Sequence, residues 1–323
     1  MNIRYLILVL TTRCNLSCAY CYNGDQAGED MPPETVRRAV ALAASGRGSL
    51  HIQMTGGEPA LVPELMSEVV REAGRLSRPV RLAVQTNGTL LDSKLLAFFK
   101  KNEIRLGLSL DGPLAVNERL RGGTAELLRA LSLLESSGLP FNITTVVTAD
   151  NVNCLDRLPM LLAGFGQARG FGLDLLADKG RGLVRPADPE ALSINVEKLK
   201  NLLAAVNRRR ARPLLWREQE LLKSGPGSAG VFCHACRAES LAVHPDGRAF
   251  PCGQTLGTPK LGLGRLDGLS SLETLLTGLA LAGEHCRDCP LKGRCPGECP
   301  SRLYFNNDQA LLACRMYRAL AAK

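Results

Sequence analysis

Apolar and polar positions alternate regularly along the N-terminal part of the chain. Short runs of aliphatic and β-branched residues, bounded by turn residues, recur between longer amphipathic stretches, as is typical of buried parallel strands and their covering helices. The predicted strands are Tyr5–Leu10, Leu50–Met54, Val80–Gln85, Ile104–Leu110, Phe141–Val147 and Phe171–Leu176. The predicted helices are Pro33–Ala44, Pro63–Leu76, Asp92–Lys101, Thr124–Ser136, Leu155–Phe165 and about Pro189 to Arg209.

Six strand–helix units in succession predict an α/β fold with a parallel sheet, either doubly wound or curved into a partial barrel. Pro33 and Pro63 support the predicted helix starts, because a first helical turn tolerates proline. In both kinds of fold the active site forms at the carboxyl ends of the strands. Functional residues are therefore expected directly after each strand.

The chain changes in character after this region. We predict a first domain over 1–185, a helical linker or bridging region over 186–232, and a second, small domain over 233–323. The bridging region ends in a Gly- and Ser-rich segment at 224–230, which is typical of a flexible bend. The small domain holds eight cysteines and little predicted helix before its end, so we expect metal to stabilise it.

Cysteine is the unusual part of the composition, at 12 of 323 residues, because the 45% hydrophobic and 22% charged content is ordinary for a globular protein. A chain of this size needs no disulfide framework. The apolar run Tyr5–Leu10 is at the short limit for a signal peptide, and no stretch approaches the roughly 20 apolar residues that span a bilayer. We therefore expect a cytoplasmic protein without membrane contact, whose clustered cysteines bind metal.

The formal net charge of +9 is a weaker indication. Part of it lies in Arg208, Arg209, Arg210 and Arg212, but no aromatic and basic nucleic-acid-binding module accompanies these residues. A solvated basic face, or attraction for an acidic substrate peptide, fits better than nucleic-acid binding.

Three cysteines follow the first predicted strand in the order Cys14, Cys18 and Cys21, with Tyr20 before the last. Three thiolates on one short loop can hold three corners of an iron–sulfur cube, which leaves one iron open to another ligand. An open position distinguishes a catalytic metal site from a closed structural one. The alternatives are zinc or a cluster that is inert in redox chemistry.

With its spacing C-x3-C-x-aromatic-C, this loop resembles the signature of the radical S-adenosylmethionine (SAM) enzymes. The resemblance covers roughly residues 5–180 and implies a partial (β/α)6 barrel related to the TIM barrel. It also implies that the open iron chelates SAM through its amino and carboxylate groups. An electron then cleaves the sulfonium to methionine and a 5′-deoxyadenosyl radical, which abstracts a hydrogen atom from the substrate.

Further motifs carry the same resemblance and imply the SAM contacts. Thr55 to Pro59 looks like the family's GGEP segment, in which Gly56 and Gly57 allow close backbone approach and Glu58 meets the SAM amino group. Ser109 and Asp111 follow the fourth strand, where the family contacts the ribose. The remaining expectations are an adenine contact by Tyr20, an active-site rim at Thr86-Asn87-Gly88, and a SAM carboxylate contact by Arg119, Arg121 or Arg129.

The C-terminal cysteines match the spacing of the SPASM extension of radical SAM proteins, which implies two fully ligated auxiliary [4Fe–4S] clusters. Gly247, which is separated from Cys252 by four residues, belongs to this pattern. By analogy with the family, Cys233, Cys236, Cys252 and Cys299 hold one cluster, and Cys286, Cys289, Cys295 and Cys314 hold the other. Two structural zinc knuckles are the alternative.

Only Cys154 remains outside these three sets, after the fifth predicted strand. A small buried side chain is its simplest role. The alternative is a hydrogen-atom donor to a substrate radical, as in radical peptide epimerases. The general base and other catalytic residues are not indicated by the sequence.

The substrate class follows from the resemblance alone. Most SPASM proteins resemble maturases that cross-link, oxidise or epimerise residues of ribosomally made peptides, so we expect a peptide or protein substrate. Formylglycine formation in sulfatases is an alternative, but Thr55 and Gly253 depart from the residues typical of those enzymes. Tetrapyrrole side-chain processing and a non-catalytic electron-transfer protein are the others.

Two partners are also implied. An external electron donor such as flavodoxin or ferredoxin would reduce the N-terminal cluster. Because the first strand begins at Tyr5, recognition of a leader peptide would need a separate leader-binding protein or the enzyme's own surface.

Overall fold

The computed structural model describes residues 1–24, 28–225, 232–277, 286–306 and 311–322. The strands are β1 (Tyr5–Thr11), β2 (Leu50–Gly56), β3 (Val80–Thr86), β4 (Arg105–Ser109), β5 (Phe141–Val147), β6 (Ala168–Leu175), β7 (Leu215–Trp216), β8 (Ser240–Val243), β9 (Arg248–Phe250) and β10 (Gly264–Arg265). The helices are α1 (Pro33–Ala44), α2 (Pro63–Ala73), α3 (Ser93–Lys101), α4 (Leu114–Leu120), α5 (Thr124–Ser137), α6 (Arg157–Ala163), α7 (Pro189–Asn207), α8 (Arg217–Ser224), α9 (Pro300–Phe305) and α10 (Leu312–Ala321).

These elements form two compact units, each assembled from separate segments of the chain. The first unit comprises Met1–Asn15, Asn23–Gly107 and Cys233–Leu279. The second comprises Leu16–Tyr22, Leu108–Phe232 and Ala280–Lys323. No helix in the described ranges is long and apolar enough to cross a membrane. Most of the predicted Gly- and Ser-rich bend at 224–230 lies outside the described residues.

The first unit is built on three parallel strands. β1 pairs with β2 and β2 with β3, in a register that places Leu8 beside Met54 and Met54 beside Val84. All three of these side chains are buried, as is typical of the apolar positions in a parallel sheet. The carboxyl ends of β1, β2 and β3 therefore present their following loops at one edge of this sheet.

The other edge of β1 carries a strand from the C-terminal part of the chain. β8 pairs with β1 in parallel, with Tyr5 beside Ser240 and Leu8 beside Val243. β8 then forms an antiparallel hairpin with β9 around the turn that contains Gly247, whose φ of +83° suits glycine. β8, β9 and β10 thus continue the N-terminal sheet, in a region for which the sequence predicts a second domain.

The second unit contains β5, β6 and β7, which pair in parallel in that order. Trp216 is fully buried and stacks on Phe171, with ring centroids 5.6 Å apart. Buried Glu218 accepts a hydrogen bond from the backbone N–H of Leu173 at 3.0 Å and pairs with Arg217. Helix α8 is thereby fixed to the centre of β6.

The predicted α/β class with a parallel sheet is confirmed, and each predicted strand overlaps an observed one. The predicted helix Leu155–Phe165 is shorter, because Val152–Cys154 forms a 3-10 turn and α6 begins at Arg157. Helix α4 was not predicted. Its seven residues are too few for a clear helical period in the sequence.

Candidate functional site

The loop that carries Cys14, Cys18 and Cys21 begins where β1 ends. It crosses the boundary of the two units, since Cys14 belongs to the first and the other two cysteines to the second. All twelve cysteines lie among the described residues, and none of them forms a disulfide.

The first half of the loop is tied to the end of β3. The Asn87 side-chain amide donates to Asn15 Oδ1 at 2.9 Å and approaches Cys14 Sγ at 4.0 Å. Asn87 Oδ1 in turn accepts from the backbone N–H of Thr89 at 2.9 Å. The rim segment that the sequence indicates at Thr86-Asn87-Gly88 therefore positions the backbone beside the first cysteine, whose own side chain is exposed.

Gly56 and Gly57 pack against the start of the same loop. A Cβ atom on Gly57 would lie 2.1 Å from the carbonyl oxygen of Arg13, and one on Gly56 would lie 2.2 Å from that of Thr11. The N–H groups of Gly57 and Glu58 donate to these two carbonyls, each at 2.8 Å. The structure thus gives the glycines a role in joining β2 to the cysteine loop. A contact of this segment with SAM stays a prediction.

Glu58 is fully buried and its carboxylate holds the ends of β2 and β3 together. Its Oε1 accepts from the Thr86 hydroxyl at 2.6 Å and from the Ala60 N–H at 2.9 Å. Its Oε2 accepts from the Asn87 N–H at 2.7 Å. A buried carboxylate needs such donors, since an uncompensated charge is costly away from water. The predicted ammonium contact of Glu58 is not tested by this geometry.

The second half of the loop is held by backbone hydrogen bonds within the second unit. The N–H of Ala19 donates to the carbonyl of Leu120 at 2.9 Å, and that of Arg181 donates to the carbonyl of Cys21 at 3.1 Å. Gly180 is needed here, because a Cβ on it would lie 2.0 Å from the same Cys21 oxygen and its φ is +84°. Cys18, Tyr20 and Leu120 belong to one buried apolar cluster.

Tyr20, Asp111 and Arg121 form a buried polar network in this unit. The Tyr20 hydroxyl donates to Asp111 Oδ2 and accepts from Arg121 Nη1, and the guanidinium lies 3.6 Å from Asp111 Oδ2. Asp111 Oδ1 accepts from the N–H of Val146 at 2.9 Å. Burial raises the pKa of Tyr20 well above its ordinary value, and the charge of Asp111 adds to this effect.

Burial shifts the pKa values of Asp111, the acidic member of the network, and Arg121, the basic member, in opposite directions. Burial raises the pKa of Asp111, although Arg121 and the accepted hydrogen bonds oppose the rise. Burial alone would lower the pKa of Arg121, but Tyr20 and Asp111 raise it, so the guanidinium stays charged. Asp111 is completely buried, and its predicted ribose contact and that of half-buried Ser109 stay predictions.

The structure separates the three arginines that the sequence leaves as alternatives. The side chain of Arg121 is 11% exposed and belongs to the network. Those of Arg119 and Arg129 are 58% and 72% exposed and lie near Asp150 and Glu126, at 3.9 and 3.6 Å. Which of the three meets the SAM carboxylate stays open.

The C-terminal cysteines of the first unit are Cys233, Cys236 and Cys252. Hydrogen bonds from Cys236 and from the N–H of Ala235 lower the pKa of Cys233 to about 6, against the effect of burial. Burial raises the pKa of Cys252, and the nearby Cys233 adds to this rise. A lowered thiol pKa favours the thiolate, which is the form that binds metal.

Four C-terminal cysteines of the second unit, Cys286, Cys289, Cys295 and Cys314, are those that the resemblance assigns to one cluster. Burial raises the pKa of Cys295, and the charges of Cys314, Cys286 and Cys289 raise it further. Cys314 responds in the same way to burial, Cys286 and Cys289. A [4Fe–4S] cluster with complete protein ligation takes four thiolates of this kind. The assignment of this set to one cluster stays a prediction, as does the grouping of Cys299 with Cys233, Cys236 and Cys252.

Cys299, the eighth cysteine of the array, is held by its neighbours. Its backbone N–H donates to Glu298 Oε1 at 2.9 Å, and its Sγ lies 3.1 Å from the Ser301 hydroxyl oxygen. Glu298 also accepts from the N–H of Ala313 at 3.2 Å and pairs with buried Arg302. This carboxylate therefore fixes both Cys299 and the start of the helix that carries Cys314.

Cys154 lies beside the end of β4. Its thiol donates to the carbonyl of Asn151 at 3.2 Å, and a Cβ on Gly112 would lie 3.7 Å from its sulfur. The residue is half-buried, and burial raises the pKa of its thiol. A neutral thiol is the form that can donate a hydrogen atom, and that role of Cys154 stays a prediction.

The basic group near residue 210 has a structural use. The Arg210 guanidinium donates to the carbonyls of Leu162, Ala163, Phe165 and Ala168 at 2.9–3.1 Å. These include the last two carbonyls of α6, Leu162 and Ala163, and a cation is favourable at the C-terminal end of a helix. This arginine is thus committed to the fold rather than to a nucleic-acid partner.

Sequence reasoning missed the partners of the cysteine loop. The contacts of Asn87 and Arg121 with the loop could not be inferred from the sequence. In each contact the two residues are separated by more than 70 positions in the sequence. The sole signal in the sequence was their position, since each follows a strand or a short segment after a strand.

Comparison with known proteins identifies the family. The model of the radical SAM superfamily matches residues 8–158. An uncharacterized protein of Methanocaldococcus jannaschii is 33% identical over 64% of this chain and 72% of its own length. The PqqA peptide cyclase of Gluconobacter oxydans is 29% identical over 91% of this chain and 84% of its own.

A solved structure has the same fold over nearly the whole chain. It is described as native anSMEcpe with bound AdoMet and Cp18Cys peptide, and it superposes with a TM-score of 0.79 at 21% identity. The match covers 99% of this chain and 96% of that one. The predicted fold, a radical SAM partial barrel followed by a cysteine-rich SPASM region, is thereby confirmed.

Proposed function

We propose that this chain, which belongs to the radical SAM superfamily, is a maturase that abstracts a hydrogen atom from a residue of a ribosomally made peptide. The observation that carries this proposal is the loop of Cys14, Cys18 and Cys21. Backbone hydrogen bonds from Ala19 to Leu120 and from Arg181 to Cys21 hold the loop, and the eight-cysteine array follows later in the chain. The outcome for the peptide would be a cross-link, an oxidation or an epimerisation.

The three loop cysteines would hold a [4Fe–4S] cluster whose fourth iron is free for SAM. When bound, this cluster supplies the electron that cleaves SAM to methionine and a 5′-deoxyadenosyl radical. The chain's own residues hold the loop: Asn87 beside Cys14, and Arg181 and Leu120 around Cys18 to Cys21. An external donor such as flavodoxin or ferredoxin would supply the electron, which suits a cytoplasmic location.

The peptide substrate is supported by two relatives. One is named a peptide cyclase, and the solved structure with the same fold contains a bound peptide. Two residues argue against the sulfatase reaction. Sulfatase maturases typically carry glutamine at the position of Thr55 and an acidic residue at the position of Gly253. A separate leader-binding protein would be a further partner of a peptide maturase.

The first test is release of 5′-deoxyadenosine from SAM by anaerobically purified, dithionite-reduced protein. We expect the amount of 5′-deoxyadenosine released to be proportional to the amount of intact N-terminal cluster. In the Cys18→Ala variant, release should fall to the level of a reaction that contains no protein. Reactions without dithionite are the control. Absence of 5′-deoxyadenosine from protein with a full complement of iron would contradict the proposal and favour an electron-transfer protein.

The second arm of the test concerns the substrate. A short peptide encoded beside this gene is co-expressed with the protein, and its mass and solvent-deuterium uptake are measured. We expect a residue-specific change that the Cys18→Ala variant does not produce. Conversion of a sulfatase cysteine or serine to formylglycine, with no change in any such peptide, would replace the peptide reaction with the sulfatase reaction.

A further inference from the structure

We propose that Arg121 is a positioning residue that sets the reduction potential of the cluster held by Cys14, Cys18 and Cys21. The inference rests on the proposed function only in requiring that these cysteines hold an iron–sulfur cluster. Arg121 would do so as a buried cation that the fold holds against Tyr20, two residues after Cys18. It would also fix Tyr20, which lies between two of the cysteine ligands.

The contacts of Arg121 show why its charge is held at one place. Its Nη1 donates to the Tyr20 hydroxyl, its guanidinium carbon lies 5.7 Å from the centre of the Tyr20 ring, and its side chain is 11% exposed. Asp111 pairs with the same guanidinium at 3.6 Å and is itself completely buried. Ion pairs and cation–π contacts of this kind are strongest where water is excluded.

The backbone next to Arg121 contributes to the same arrangement. The carbonyl of Leu120 accepts from the N–H of Ala19, which lies directly between Cys18 and Tyr20. Asn117 accepts from the N–H of Asp111 at 3.1 Å, so the short helix α4 is also bound to the end of β4. Two hydrogen bonds thus join the end of α4 to the cysteine loop, one from the Ala19 N–H to the Leu120 carbonyl and one from Arg121 to the Tyr20 hydroxyl.

Electrostatics connects this network to the cluster ligands. Tyr20, whose hydroxyl accepts from Arg121, lies two residues after Cys18 and directly before Cys21, and Leu120 belongs to the same buried cluster as Cys18. Reduction of a cluster adds one negative charge, and a fixed cation nearby stabilises that charge in a medium of low dielectric constant. The reduction potential of an iron–sulfur cluster depends on such neighbouring charges. Arg121 should therefore make the cluster easier to reduce, and Asp111 should oppose it.

The experiment is an EPR-monitored redox titration of the N-terminal cluster in the full-length holoprotein, with four variants. We expect Arg121→Gln to lower the equilibrium constant for reduction about tenfold, which is about 59 mV for one electron. Arg121→Lys should restore the constant to within a factor of about three, because it keeps the charge. Asp111→Asn should shift the constant in the opposite direction, and Arg209→Gln, an exposed arginine of the same unit, should leave it unchanged.

The sign of the shifts separates an electrostatic role from a purely structural one. The inference would be overturned if Arg121→Gln and Asp111→Asn shifted the equilibrium constant for reduction in the same direction. It would also be overturned if Arg121→Gln and Arg121→Lys lowered this constant equally. If Arg121→Gln loses its cluster, the other two variants test the inference. Asp111→Asn should then raise the equilibrium constant for reduction, and Arg121→Lys should leave it within a factor of about three of the wild-type value. A wild-type protein without an N-terminal cluster would instead contradict the proposed function, so the two failures are distinguishable.

Discussion

At the scale of single residues, the glycines after β2 show how little freedom the site has. Gly57 lies against the carbonyl of Arg13, and Gly56 against that of Thr11. The sequence suggested that these glycines make room for a ligand. In the folded chain they make room for the protein's own cysteine loop, which a side chain at either position would displace.

This close approach gives the first prediction. Gly57→Ala would place a Cβ 2.1 Å from a backbone oxygen, so the loop must shift. We expect the free energy of unfolding to fall by about 1–3 kcal/mol, as for other overpacked sites. Denaturation of the anaerobic protein followed by circular dichroism would measure the change in midpoint.

Gly268→Ala is the matched control, because the space around Gly268 is open and its backbone does not require glycine. It should change the free energy of unfolding by no more than about 0.5 kcal/mol. Equal midpoints for the two variants would show that the loop can yield at no cost, and would contradict the packing argument.

At the scale of elements, the site depends on how the ends of strands bind the cysteine loop. The segment after β3 does this through Asn87, and the end of α4 does it through Leu120 and Arg121. The first six strands and most helices were predictable from their apolar patterns, whereas the short strands β7 to β10 were not among the predicted strands. Helix α4 and the side-chain bonds at strand ends were not, because they leave no periodic pattern.

Asn87→Ala tests this anchoring. The change removes the hydrogen bond to Asn15 and the approach to Cys14 while leaving β3 intact. We expect a lower occupancy of the N-terminal cluster, roughly halving its EPR signal per chain, because a ligand is less well positioned.

The auxiliary clusters should be unaffected by Asn87→Ala, since their cysteines have other neighbours. Asn142→Ala, at an exposed position of β5, is the control and should retain the wild-type EPR signal. A full N-terminal signal in Asn87→Ala would mean that the remaining backbone hydrogen bonds are enough to hold the loop.

At the scale of the whole molecule, the cysteines predict the metal content. If the loop and the two C-terminal sets each hold a [4Fe–4S] cluster, the anaerobically purified protein should contain about twelve irons per chain and little zinc. Elemental analysis and the visible absorption of the protein measure this directly. Triple substitution of the loop cysteines by alanine should remove about four of these irons.

The alternative outcome is equally clear. About two zinc ions per chain, with iron only at the N-terminal loop, would contradict the auxiliary clusters and favour two zinc knuckles. A chain that kept all of its iron after the triple substitution would contradict the assignment of the loop cysteines as ligands.

The sequence by itself determined the α/β class, the strand order along the chain and the two groups of cysteines, because these depend on local periods and spacings. It did not reveal that β8 extends the N-terminal sheet, since the pairing of Tyr5 with Ser240 joins residues far apart in the chain. Only the tertiary structure brought Arg121 and Asp111 to Tyr20. A buried charge pair is specified by long-range packing, and no local pattern in the sequence distinguishes it from surface charges.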